Sequence, residues 1–341
     1  MSVKKKKILL VGGGTLGSVS PLLAIAENYQ AEYLFVGTKG GPEKAVVEKF
    51  GLNFQEIFSG KLRRYFSWHN FVDIFKIKIA FWQSLKIIKN FQPDLVLTAG
   101  SFVAVPLVYA AKFKKIPIIV HQQDLSIGLA NKLMAPVAKK ITVTFEEQKK
   151  YFPSKKVIVT GNPVRKFLPQ VSRTDILNIV ITGGGLGARG FNDFLSQFIP
   201  DLSKTCFVHH ILGKANFAQA LDLKKNYQAY QFIDKGMIDL LAQADIIISR
   251  AGMSLITEAA MLKKALVLIP MPQSHQEKNA AFFAKNNAAF YCRQGANKIL
   301  ARYLEKLFKQ EHLRQDLGNN LSQLFPKNAV DNYIKVIEDI I

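Results

Sequence analysis

Short apolar runs rich in β-branched residues recur along the chain, at 8–11, 33–36, 95–98, 116–120 and 141–144, then at 179–182, 246–249 and 265–269. Such short, unbroken runs predict parallel strands covered on both faces. Between them, 21–30, 126–138 and 254–262 carry helical spacing with Gly, Pro or Ser at their starts, the pattern of βαβ units. The class is α/β. The pattern also repeats coarsely. Run 8–11 leads into Gly12-Gly13-Gly14-Thr15-Leu16-Gly17, and run 179–182, half a chain later, into Gly183-Gly184-Gly185-Leu186-Gly187. Two halves opening alike predict two Rossmann-like, doubly wound parallel-sheet domains facing across a cleft. Pro153, Pro163 and Pro169, with polar 170–175, place the boundary so that the domains are 1–163 and 164–341. The last helical pattern, 328–341, could pack on either.

Length agrees: 341 residues at ~150 per domain is about two domains. Charge changes the picture more. A formal net charge of +21 asks for a polyanionic partner: nucleic acid, an anionic membrane face or a phosphate-bearing substrate. No helix-turn-helix, RNP or zinc-finger pattern is present, which argues against nucleic acid. The two cysteines, Cys206 and Cys292, are far apart in apolar surroundings and fit core packing in a reducing compartment. Cys206 with His209 and His210 has metal-like letters but no fourth ligand, so packing is the better reading. The basic start resembles a signal peptide, but Gly12-Gly13-Gly14 breaks its apolar run and no cleavage site follows. The longest uncharged stretch, 95–111, is 17 residues and is divided by Gly100-Ser101 and Pro106, short of the ~20 a membrane span needs.

A strand feeding a glycine turn into a helix presents backbone N–H groups to an anion. Each loop alone fits a steric need for glycine equally well; two in register favour phosphate. A dinucleotide fold also wants an acid after the second strand, where the chain reads Val36-Gly37-Thr38-Lys39, so an NAD enzyme is disfavoured. In the second half, Ser249-Arg250-Ala251-Gly252-Met253-Ser254-Leu255-Ile256-Thr257-Glu258 follows a strand and puts a carboxylate early in a helix. Glu258 could accept both hydroxyls of a ribose; the competing reading is Ser254 as N-cap with Glu258 as dipole partner. Downstream, 269–280 runs from a strand into a Pro-bounded loop of amides and a histidine, suited to sugar hydroxyls.

Taken together, the 12–17 loop with Pro21, His121-Gln122-Gln123-Asp124 with Gly128-Leu129-Ala130-Asn131, Gly161-Asn162-Pro163-Val164-Arg165, the 183–188 loop with Asn192, Arg250-Ala251-Gly252 with Glu258, and His275-Gln276 with Asn279-Ala280 resemble the MurG family, in the family's order over nearly the whole chain. These are bacterial undecaprenyl-diphospho-muramoylpentapeptide β-N-acetylglucosaminyltransferases. The resemblance implies a GT-B fold, inverting transfer of GlcNAc from UDP-GlcNAc to lipid I to form lipid II in peptidoglycan synthesis, no bound metal or other cofactor, and a peripheral place on the cytoplasmic face of the bacterial plasma membrane. It implies that Arg165 contacts the donor diphosphate and that Gly185 and Gly187 bring amides to it. Ile233, in Phe232-Ile233-Asp234, would sit by the uracil. Met253, Ser254, Leu255, Ile256, Thr257 and Glu258 would line the nucleotide, and Gln276 with Asn279 would serve the sugar. Thr15, Leu16 and Gly17 would form the loop near the acceptor diphosphate and the transferred sugar.

The chain departs from the family where chemistry is concerned. Ser18 stands where a histidine is usual, Gln122 where a Glu is, Asp124 where an Asn is and Gly185 where a Ser is; the loop 270–275 also looks shorter. Ser18 cannot take a proton near neutral pH without a partner base, so Asp124 becomes the candidate base, or a residue compensating for Gln122, with His121 in reserve. Otherwise these groups orient substrate while the departing UDP is stabilised electrostatically. Two rival readings remain: another GT-B lipid glycosyltransferase such as a diacylglycerol enzyme, or a lipid-binding pseudoenzyme that holds UDP without turnover.

The segment 61–90 has seven Lys/Arg against one acid, Asp73, and both tryptophans, Trp68 and Trp82. Basic residues interleaved with aromatics on a helix fit an interfacial patch meeting anionic lipid, and the resemblance implies the same. Phe75, Phe81 and Trp82 are the residues expected at the surface; the alternative places Phe71, Phe75, Ile79 and Trp82 in the core.

Overall fold

The computed structural model describes residues 5–60, 69–165, 176–185, 187–223, 225–233 and 236–341, with 69–74 as backbone only. Trp68, Leu186, Asp234 and the boundary stretch 166–175 therefore lie outside the described residues. The chain divides into two units, Met1–Lys166 with Pro326–Ile341, and Phe167–Phe325.

The first unit is built on β1 (Lys7–Val11), β2 (Glu32–Thr38), β3 (Asn53–Ile57), β4 (Leu95–Thr98), β5 (Ile118–Gln122), β6 (Lys140–Val143) and β7 (Val157–Val159). They pair in parallel in the order β3-β2-β1-β4-β5-β6-β7. The second unit has β8 (Leu177–Thr182), β9 (Cys206–Ile211), β10 (Tyr227–Tyr230), β11 (Ile246–Ser249), β12 (Ala265–Leu268) and β13 (Phe290–Tyr291), parallel in the order β10-β9-β8-β11-β12-β13. Both sheets wind outward from their first strand in one direction, then restart beside it. That places a topological switch point between β1 and β4 and another between β8 and β11, and each glycine loop emerges there at the carboxyl end of a strand, where open α/β sheets bind ligands. All eight predicted strands are present. Among those the pattern did not mark, β3, β7, β10 and β13 are sheet edges or next to them, short or partly polar, and so lack the unbroken apolar run of a central strand.

Successive residues of β1 serve opposite layers. Leu9 and Val11 join a core with Ala80, Ile87 and Ile88 of helix His69–Phe91 and with Leu107 and Val108 of helix Ala104–Phe113. Ile8 and Leu10 join another with Leu22, Leu23 and Ile25 of helix Ser20–Asn28 and with Tyr333, Val336 and Ile337 of helix Ala329–Glu338. This two-sided burial is why the strand reads as continuous hydrophobic sequence.

The expected boundary at 163/164 falls a few residues later, the first unit continuing to Lys166, and the last helical pattern, which could have packed on either domain, lies with the first, which takes in Pro326–Ile341. The cause is packing. Tyr333 is fully buried, Gly161 leaves room for Ala329, whose Cβ would lie 2.8 Å from a Cβ on that glycine, and Asn332 Nδ2 donates to Thr160 O at 3.3 Å. The expected helix 126–138 shortens to Leu129–Met134, and 254–262 becomes Met253–Met261.

Candidate functional site

In the second unit, Gly184 N–H donates to Thr182 Oγ1 at 3.2 Å and Gly187 N–H to Gly184 O at 2.9 Å, a tight turn leaving Gly184 and Gly185 exposed. Gly187 has φ +74°, and a Cβ there would collide with the Leu212 carbonyl, so only glycine fits. Its amide, expected to face a diphosphate, is thus spent within the turn. Among the described residues nothing bonds the Gly185 N–H, which stays available to an anion.

Helix Met253–Met261 starts from Gly252 as N-cap, with no side-chain capping bond, so Ser254 is inside the helix and Glu258 falls in its second turn. The N-cap reading of Ser254 is therefore set aside. The helical period also divides the expected nucleotide lining: Met253, Ile256 and Thr257 are buried on one face, Thr257 Oγ1 donating to Met253 O at 2.7 Å, while Ser254, Leu255 and Glu258 are half-buried on the other. Gln276, first residue of helix Gln276–Lys285, accepts the Met271 N–H on Oε1 at 3.0 Å and so shapes the Pro-bounded loop. Asn279 is fully buried, and its Nδ2 donates to Ala251 O at 3.0 Å, tying this helix to the end of β11. Ile233 is half-buried on the loop after β10.

Arg250 organises the same region in a way its motif did not reveal. Its guanidinium donates to Ile269 O at 3.1 Å, Pro270 O at 2.8 Å and Gln294 Oε1 at 2.8 Å, with the Phe191 ring centroid 5.1 Å away. Burial pulls its pKa down to about 10, still fully charged at neutral pH. It thus staples the end of β11 to the loop that precedes Gln276.

In the first unit the three leading glycines of the loop spend their amides internally. Gly12 N–H donates to Val36 O at 3.2 Å, Gly13 N–H to Ser18 Oγ at 3.1 Å and Gly14 N–H to Glu43 Oε2 at 3.1 Å. Ser18, buried, also donates to Thr15 O at 3.4 Å, so its hydroxyl shapes the loop and does no base chemistry. Gly14 and Thr15 are exposed; Leu16 and Gly17 are half-buried. Glu43 escaped the sequence reading because an acid five residues past β2 fits no spacing rule.

Three buried glutamines hold the neighbouring 122–126 turn. Gln122 Nε2 donates to Asp124 O at 2.6 Å and Ser126 O at 3.0 Å, and its Oε1 accepts from Asn131 Nδ2 at 2.7 Å. An ionised glutamate could not donate to those two carbonyls, which accounts for an amide here. Gln148 Nε2 donates to Gln122 O, Gln123 O and Asp124 O at 3.2, 3.2 and 2.7 Å. Gln123 Nε2 reaches across to Gly17 O at 3.0 Å and Ala99 O at 3.4 Å, joining this turn to the glycine loop. Asp124 is half-buried at the tip of the braced turn.

His121 is withdrawn as the reserve base. It is fully buried, with Nδ1 2.9 Å from Thr142 Oγ1, Nε2 3.0 Å from Asn162 Oδ1 and the Tyr333 ring 5.7 Å from its own. Burial pushes its pKa down to about 4, so it is a neutral strut. Arg165 is half-buried at the end of the first unit. Cys206 and Cys292 are buried free thiols; His209 and His210 face Tyr230 and Tyr227 hydroxyls at 3.0 and 3.3 Å. Among the described residues no His, Cys, Asp or Glu cluster has the make-up of a metal site.

On helix His69–Phe91, Phe75, Ile79 and Trp82 are 65%, 48% and 70% exposed, and Phe113 at the end of the adjoining helix is 69% exposed. Phe81 corrects the expectation, being half-buried against the first-unit core. Ile79 and Trp82 correct the core alternative. Two grooves of about 590 and 580 Å³ flank Trp82 and Phe81, edged by Lys78, Lys86, Lys89 and Lys114. Among the described residues no helix is long and apolar enough to cross a membrane.

Comparison with known proteins agrees with this layout. Residues 8–143 match the glycosyltransferase family 28 N-terminal domain and 178–332 its C-terminal domain. Proteins named UDP-N-acetylglucosamine–N-acetylmuramyl-(pentapeptide) pyrophosphoryl-undecaprenol N-acetylglucosamine transferase from Clostridium botulinum and Clostridium tetani are 34% and 35% identical, each alignment covering 98% of both chains. The solved structure of Acinetobacter baumannii MurG superposes with a TM-score of 0.75 at 26% identity, covering 98% of this chain and 99% of that one. The chain belongs to the MurG family. Its two sheets are the halves of the MurG, GT-B fold, and it is a glycosyltransferase. The fold alone is also shared with a UDP-GlcNAc 2-epimerase from Neisseria meningitidis, at a TM-score of 0.71 and 14% identity over 98% of this chain and all of that one.

Proposed function

We propose that this chain moves GlcNAc from UDP-GlcNAc to the 4-hydroxyl of the muramoyl sugar of undecaprenyl-diphospho-MurNAc-pentapeptide, forming lipid II with inversion at C1. The observation that carries it is the second unit's switch point, where an open glycine turn follows β8, the helix bearing the half-buried Glu258 follows β11 and the Gln276 loop follows β12. That is the equipment for a diphosphate, a ribose and a sugar. The names of the full-length relatives supply the acceptor.

In this reading the Gly185 amide and Arg165 serve the donor diphosphate, Ile233 the uracil, and Glu258 the ribose hydroxyls. Asp124, held by the Gln122 and Gln148 amides, takes the proton from the acceptor hydroxyl as its oxygen bonds to C1 and the C1–O bond to UDP breaks. UDP leaves with its charge met by backbone N–H and guanidinium groups, which needs no metal ion. The exposed Phe75, Ile79, Trp82 and Phe113, rimmed by lysines, would rest on an anionic membrane surface, with the protein peripheral on the cytoplasmic face where lipid I is offered.

The test is UDP release from UDP-GlcNAc with a lipid I analogue. Acceptor-dependent release is expected, with Glu258→Ala raising the UDP-GlcNAc KM about 10- to 100-fold, the loss of ~1.5–3 kcal/mol of charge-assisted hydrogen bonding. UDP binding without acceptor-dependent release would overturn the reading in favour of another acceptor or an inactive protein. Trp82→Ser with Phe113→Ser should lower sedimentation with anionic vesicles; unchanged binding would remove the membrane assignment.

A further inference from the structure

We propose that Gln148 is a positioning residue for proton transfer, one that touches neither substrate and sets the rate by fixing the main chain that carries Asp124. This deepens the transferase reading and rests on it for the role of Asp124. β5 and β6 run side by side as far as Gln122 and Val143, and one more rung follows, from Thr144 N–H to Gln122 O at 3.3 Å. Beyond it β5 leaves the sheet for the 122–126 turn, and the carbonyls of Gln123 and Asp124 need donors from elsewhere. Gln148 supplies them. It is fully buried on the short 3-10 turn Glu146–Tyr151 that follows β6. Its Oε1 accepts the Phe145 N–H at 2.6 Å and its own N–H donates to Phe145 O at 3.1 Å, so the side chain is aimed from its base. Nε2 then donates to Gln122 O, Gln123 O and Asp124 O at 3.2, 3.2 and 2.7 Å.

The amide has one workable orientation. Turned over, it would set Oε1 against three carbonyl oxygens and Nε2 against the Phe145 N–H. Of the three carbonyls, that of Asp124 takes the shortest bond, and from the other side Gln122 Nε2 reaches the same oxygen at 2.6 Å. Both lone pairs of the Asp124 carbonyl are thus filled by side-chain amides that are themselves held, Gln148 by the Phe145 N–H and Gln122 by Asn131 Nδ2 at 2.7 Å. Asp124 itself is half-buried at the tip of the turn, so where it points depends on a main chain that does not shift. A displacement of about 1 Å at a reacting group can cost ~10²-fold in rate. Gln148 removes that freedom, and only a neutral donor can do so: a carboxylate in its place would repel the carbonyls, and an apolar side chain would withdraw a donor from all three.

The test compares the parent with Gln148→Met and Gln148→Glu, both close to glutamine in size, by UDP release from UDP-GlcNAc with a lipid I analogue, each variant first shown to be folded by its melting transition. kcat should fall about 10-fold in Gln148→Met and about 100-fold in Gln148→Glu, while the UDP-GlcNAc KM stays within about twofold. In an Asp124→Asn background, Gln148→Met should cost less than about a further twofold, because its effect passes through Asp124. Parental kcat in folded Gln148→Met, a rise in the UDP-GlcNAc KM as large as the fall in kcat, or the full loss repeated on top of Asp124→Asn would overturn the proposal. So would parental kcat in Asp124→Asn, which leaves nothing to position. Should Gln148→Glu not fold, Gln148→Met carries the comparison alone. A parent with no acceptor-dependent UDP release sinks the transferase reading itself, whereas a parent that turns over beside a fully active Gln148→Met sinks only the role of Gln148.

Discussion

The two glycine loops leave equivalent strands of two sheets wound in the same order, yet they have been put to different uses. Among the described residues the second unit's turn is tied by Thr182 Oγ1 and its own backbone, and Gly184 and Gly185 are exposed. In the first, Ser18 and the buried Glu43 take the Gly13 and Gly14 amides, and Gln123 holds Gly17 from the neighbouring turn. A shared strand–glycine–helix motif therefore does not by itself say phosphate. What decides is whether the surrounding side chains leave its donors open.

The sharpest way to break this contrast is Asp124→Asn. If the first unit does proton chemistry and the second holds nucleotide, kcat should fall ~10²–10⁴-fold with UDP affinity unchanged by calorimetry; loss of both would merge the two roles. Next is Gly187→Ala, which drives a Cβ into the Leu212 carbonyl at a left-handed φ. A combined cost of ~3 kcal/mol in the second unit is expected from overpacking and backbone strain, read as an early unfolding transition that UDP no longer shifts.

Acid should then single out buried histidines. The folded His121 pKa, about 4, lies below its ordinary 6.5, so the unfolded chain takes up the proton first. Stability is complete above 6.5 and falls as pH drops towards 4, by about 3 kcal/mol for this residue. His121→Gln should flatten that part of the pH–Tm curve without abolishing it, because His210, also pushed to about 4, and His209, lowered by its burial, add in the same direction. The smallest effect belongs to Gly14→Ala: a Cβ there meets nothing within 4 Å, leaving only the φ of +76° to cost ~1–2 kcal/mol, with UDP binding untouched.

The central strands were legible because burial on both faces writes an unbroken apolar run, and 95–98 and 246–249 match β4 and β11 residue for residue. The glycine turns were legible as turns. Their difference was not, since it depends on Glu43 arriving from 29 residues beyond Gly14 and on Gln123 from 106 beyond Gly17. Exposure along helix His69–Phe91 was only partly legible: helical spacing groups Phe75, Ile79 and Trp82, but it is the packing of Phe81 that shows which face turns inward. Arg250 and Asn279 stood in the recognised motifs, yet their work is to hold backbone carbonyls, a role no letter pattern separates from ligand contact.

The helix Ala329–Glu338 returns to the unit that began the chain, pressing Tyr333 against the His121 ring. During synthesis every strand of the first sheet is made before 167–325, but the plug for that sheet emerges only after the whole second unit has followed. The half that starts folding first is thus the half completed last, and a nascent chain stalled anywhere before Tyr333 would carry an unsealed apolar face, a ready target for chaperones.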